Sequence, residues 1–147
     1  MAQQVKDALV QAAERLLAFE ASGNALRAEP APAVANRIQE RLHRHLSPIV
    51  GETGFRVILA RAVTLTRRAF PGLPKEVTGR SADDPFTQLC AHLKDEGPDA
   101  NAAILTALIV NFVNLLSTFI GEGLTWRLLR NAWPEVLPTE PPSGEKP

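Results

Sequence analysis

Apolar positions recur along this chain at helical spacing, in blocks separated by short runs of Gly, Pro, Ser and Asn. The first block, 3–21, sets Val5, Leu9, Ala12, Ala13, Leu16 and Leu17 on one side and Lys6, Asp7, Gln11, Glu14 and Arg15 on the other. This is the pattern of a surface helix that buries one face. Ser22-Gly23-Asn24 supplies stop chemistry, and Glu29-Pro30-Ala31-Pro32 keeps the chain extended before the next block.

A second helix is expected over 32–46, with Val34, Ile38, Leu42 and Leu46 in line, Pro32 in its first turn and Pro48 closing it. After a reversal at Gly51-Glu52-Thr53-Gly54, a third, 52–70, aligns Phe55, Ile58, Leu59, Ala62, Thr66 and Phe70. The short link makes the two an antiparallel hairpin. Their outer faces carry Arg37, Arg41, His43 and Arg44, then Arg56, Arg61, Arg67 and Arg68. Pro71-Gly72-Leu73-Pro74 ends the hairpin, and an irregular loop runs to Asp83-Asp84-Pro85, an acidic cap with proline in the first turn of a fourth helix, 85–94.

The fifth block differs in kind. From Asn101 to Ile120 no residue is charged, and apolar groups cover every direction except one seam of Ala103, Ala107, Asn111, Asn114, Thr118, Glu122 and Thr125. A helix of this type is the core of a bundle or a membrane span. Burial in protein is the favoured expectation, because two asparagines would sit near mid-bilayer, three amphipathic helices need a surface, and the tryptophans, Trp126 and Trp133, flank one end alone. Continued from 98 to 132 the helix would run about 50 Å, against a radius of gyration of about 15 Å for a domain this long. The excess requires either a kink at Gly121-Glu122-Gly123 or packing against a second copy. The fold expected is therefore all-α: one bundle of about five helices over 1–133, arranged around the long apolar helix, with a proline-rich flexible tail from 134 to 147.

Length and composition narrow the class. A chain of 147 residues can bury a core without staples, and the lone cysteine, Cys90, excludes an intrachain disulfide and any multi-cysteine zinc site. No secretory leader pattern opens the sequence, so a cytoplasmic location is expected. Net charge is zero but uneven: ten basic against four acidic residues between Arg27 and Arg80, then four against nine from Ser81 onwards. Nucleic acid is a disfavoured partner, because no aromatic platform or helix-turn-helix pattern accompanies the arginines.

Candidate chemistry is sparse. Glu40-x-x-His43 has the spacing of one half of a di-iron bundle site, but a second copy of the motif is missing, so neither a metal nor another cofactor is expected. His43, His45, Cys90 and His92 offer ligand or nucleophile chemistry, yet Cys90 and His92 point about 200° apart on a helix. No catalytic residue is assigned. Two sets remain. Trp126, Arg127, Arg130 and Trp133 combine the residue types favoured at interaction hot spots, with Arg130 one turn from Trp126 for stacking. Asn111, Asn114, Thr118 and Glu122 must find partners, as hydrogen bonds within the chain, as a homodimer seam or as a small polar pocket. The expectation is a non-enzymatic, adaptor-like or regulatory helical protein that self-associates or binds a protein partner through its C-terminal long helix. The alternatives are a small-molecule binder or minor enzyme at Asn111, Asn114 and Glu122, and a single-span membrane anchor.

Overall fold

A computed structural model describes residues 2–21, 31–73, 85–93, 98–134 and 136. Among these residues there are five helices and no strand: α1 (Ala2–Ala21), α2 (Ala31–Ala69), α3 (Pro85–Leu93), α4 (Pro98–Ile120) and α5 (Glu122–Ala132). The expected cap at Asp83-Asp84, the loop before it and nearly all of the tail lie outside the described residues.

Two glycines set the corners. The second and third expected helices both form, and they are the two arms of α2, meeting at a kink where Gly51, at φ 85° and ψ 158°, leaves helical geometry. Pro48 does not close the first arm as expected. It lies inside α2, and the turn comes three residues later, at a residue free to adopt positive φ. The bend is sharp: His43 Nε2 lies 2.6 Å from Glu52 Oε1, whereas nine residues of straight helix would span about 13 Å. Gly121, at φ 97° and ψ 149°, makes the second corner with nearly the same backbone, so the long apolar helix breaks there into α4 and α5. The break resolves the length mismatch within one chain. Thr125 bridges it, donating Oγ1–H to the Gly121 carbonyl at 2.7 Å.

The core joins Leu9, Leu16, Val34, Leu46, Phe55, Val63, Leu89, Leu93, Phe112, Leu116, Leu129 and Trp133 in one cluster. The α2 hairpin packs against each of the other four helices, and α4 packs on α1, α2 and α5. Phe55 and Phe112 meet with ring centres 5.5 Å apart and planes tilted by 59°. Such aromatic pairs add about 0.5–1.5 kcal/mol beyond the area they bury. Enclosure of α4 is one-sided: Ile104, Leu105, Leu108, Ile109, Phe112, Val113 and Leu116 are buried, while Ala103, Asn114 and Thr118 are exposed. The residues 100–120 form a helix long and apolar enough to cross a membrane, and 44% of its most apolar stretch is buried inside the chain.

Candidate functional site

The side of α4 turned away from the bundle has its own order. Ala103, Ala107, Val110, Asn114 and Ser117 succeed one another at steps of four, three, four and three, the spacing of a coiled-coil seam. Ala103 and Asn114 are exposed, and Ala107, Val110 and Ser117 are half-buried. Small side chains at these positions let a second helix approach closely. The face carries no charge from Asn101 to Ile120, while the solvent faces of α1 and α2 carry Glu14, Arg15, Glu40, Arg44, Arg56, Arg61 and Arg68.

The polar set expected on this helix is thus divided. Asn111 is half-buried and donates its amide to Thr66 Oγ1 at 3.1 Å; Thr66, fully buried, donates in turn to the Ala62 carbonyl at 2.8 Å. That relay ties α4 to the second arm of α2. Asn114, Thr118 and Glu122 are exposed, and Thr118 returns its hydroxyl proton to the Asn114 carbonyl at 3.1 Å. Of the four, Asn111 thus faces the chain's own interior, and Asn114, Thr118 and Glu122 face solvent.

The tryptophan and arginine set is divided as well. Trp126 and Trp133 retain 4% and 0% of their surface, so both belong to the chain's own core; Arg130 is half-buried and Arg127 exposed. Arg41 lies over the Trp133 ring, 5.4 Å from its centre, and 5.8 Å from the centre of Phe19. Its Nη1 also donates to the Ala132 carbonyl at 2.8 Å. Arg41, expected on a solvated outer face, instead clasps α1, α2 and the end of α5, satisfying a terminal carbonyl that α5 itself cannot.

Between the two arms of α2, where they reach the start of α3, lies a cleft of about 900 Å³. Its rim is polar, with Gln39, Glu40, His43 and Arg44 on one arm and Glu52 and Arg56 on the other. Phe55, Leu59 and Phe86 are its buried apolar lining. His43 and Arg56 each take one oxygen of Glu52, at 2.6 and 2.9 Å, and hold its carboxyl below the usual carboxylate range, the hydrogen bond from His43 contributing most. His43 also sets its ring edge-on to Phe55, 5.1 Å between centres. Glu40 and His43, read from spacing as a metal-ligand pair, thus meet in a cleft where the imidazole is engaged by Glu52. His45 is half-buried, and burial, reinforced by the charges of Arg44 and Arg41, pushes its pKa down. Cys90 is buried on α3, and His92 is half-buried on the same helix.

The reversal at Gly51 was expected from the sequence, but not the cleft, because which side chains of the two arms face one another, and that Pro85 and Phe86 border the same space, are set by packing. Sequence reasoning missed Val110 and Ser117 as seam positions because the stripe was followed at 3.6-residue spacing; the four-three alternation of small residues was the signal that could have found them. Compared with known proteins, the chain matches no protein-family model, no curated protein and no solved structure.

Proposed function

We propose that the protein is a non-enzymatic helical interaction module, adaptor-like or regulatory, that self-associates through the outward face of α4. The observation that carries this reading is the uncharged face with coiled-coil spacing at Ala103, Ala107, Val110, Asn114 and Ser117. Over that length a second α4 would follow the seam for roughly 20 Å, at 1.5 Å per residue. Asn114, at a seam position, would pair with its counterpart and select one register, as buried asparagines do between coiled helices. On this reading the interface lies on α4 and not at Trp126 and Trp133, which are buried within the chain.

Light scattering on detergent-free protein tests the reading. A particle of twice the chain mass is expected, converted to one of single mass by Ala107→Lys combined with Val110→Lys, with helical content retained. A monomer throughout, or a dimer indifferent to both lysines, would refute it. The length and hydropathy of residues 100–120 favour a second reading, a membrane anchor. Protein that yields no discrete particle without detergent and floats with phosphatidylcholine vesicles would replace the first reading by that one.

A further inference from the structure

The second arm of α2 has an outward face unlike that of α4, because this one is bordered by charge. Val57 stands on it and keeps 62% of its surface, although it is a large apolar group. Thr53, Val57, Ala60 and Thr64 succeed one another at steps of four, three and four, opposite the buried Phe55, Ile58, Leu59 and Ala62. Thr53 is exposed, and Ala60 and Thr64 are half-buried. Thr64 donates its hydroxyl to the Ala60 carbonyl of its own helix at 3.2 Å.

Arginines border this ridge. With Val57 and Ala60 as the first and fourth positions of a heptad, Arg61 and Arg68 both take the fifth and Arg56 the seventh, the places from which charged side chains reach a partner helix and set its identity. From Thr53 to Phe70 the sequence holds no acidic residue to offset them. Arg56 is engaged with Glu52 through its Nε at 2.9 Å. Arg61 and Arg68 are exposed, and among the described residues no carboxylate is paired with either. Seven residues separate them, about 10 Å along the helix axis.

The charges decide what fits. A second copy of the same face does not, because parallel pairing brings Arg56 against the copy's Arg61 and antiparallel pairing brings arginines of the fifth position together, and like charges juxtaposed in an interface are costly. Val57 and Ala60 give a phosphate backbone no side-chain donor at the centre of the ridge, and one valine is not the broad apolar face that enters a lipid surface. We propose that this face docks an amphipathic helix of another protein, with small or apolar side chains along its seam and Glu or Asp on both flanks. It is a second docking face, independent of self-association through α4.

Fluorescence anisotropy of the full chain with a labelled three-heptad peptide, alanine and leucine along its seam and glutamate on both flanks, is the test. A control peptide has the same composition with its glutamates moved to the side opposite the seam. Saturable binding of the first peptide is expected, at least fivefold tighter than the control. Arg61→Glu combined with Arg68→Glu, both exposed positions, should weaken it at least tenfold and confer binding of a peptide with lysine on its flanks. Circular dichroism checks that the variant is folded, and if it is not, Arg61→Gln with Arg68→Gln decides by the loss alone. Absence of saturable binding, equal affinity for the two glutamate peptides, or indifference to the arginine changes overturns the assignment. So does a preference for duplex DNA or phosphatidylserine vesicles that the same changes abolish.

Discussion

Replacing Gly121 by alanine tests the corner that brings α5, with Trp126 and Trp133, back onto the bundle. Gly121 sits at φ 97° and ψ 149°, and a Cβ placed there would meet no heavy atom within 4 Å. Crowding is therefore excluded, and the whole penalty must come from the backbone. That region is reached almost exclusively by glycine and costs other residues about 1–3 kcal/mol. Gly123, two residues on, provides the control: it too has open space around a built Cβ but lies inside helix α5. Alanine there should stabilise by about 0.5 kcal/mol, because it restricts the unfolded chain and suits the helix. For a chain of this size a loss of about 2 kcal/mol lowers Tm by roughly 4–8 °C. Urea unfolding followed by circular dichroism gives the two free energies, and tryptophan emission reports separately on α5, since both tryptophans are buried and move to the red if α5 straightens away from the bundle. A Gly121→Ala protein within about 0.5 kcal/mol of wild type, the range of an ordinary surface change, would refute the reasoning. So would a Gly123→Ala protein destabilised to the same degree.

Two further outcomes follow from the same geometry. Arg41→Lys keeps the charge but loses the planar group over Trp133 and Phe19 and the bond to the Ala132 carbonyl, so chemical unfolding should register a loss of about 1–2 kcal/mol; an unchanged midpoint would show that the clasp is idle. His45 is depressed below its ordinary 6.5 in the folded chain by burial and by Arg44 and Arg41. The unfolded chain thus takes up this proton first, and the associated stability, complete above 6.5, is lost as pH falls through and below that value. Between about pH 7.5 and 5.5 the wild type should lose more stability than His45→Gln, and parallel pH profiles would contradict the assignment.

Much of the fold was legible because helices are written in local spacing. The stripe Val34, Ile38, Leu42 and Leu46 is buried along its length, and so are Phe55, Ile58, Leu59, Ala62 and Thr66. The length of the apolar helix alone required a bend or a second copy, and the two glycines after Ile120 marked where the bend falls. The site was far less legible. Tryptophan beside arginine reads alike whether the ring meets a partner or the chain's own core. Only the packed structure brings Arg41, 92 residues away, over Trp133.

The sequence by itself determined the class of structure, the positions of the helices and the uncharged, apolar character of residues 101–120, because periodicity, breakers and charge are properties of neighbours along the chain. Tertiary structure alone decided which side of that helix stays outside, which asparagine is spent on Thr66 and which is left exposed, and that two arms of α2 enclose a cleft. These are contacts between residues far apart in sequence, set by how the hairpin folds at Gly51 and how α4 lies against it, and local spacing carries no record of them.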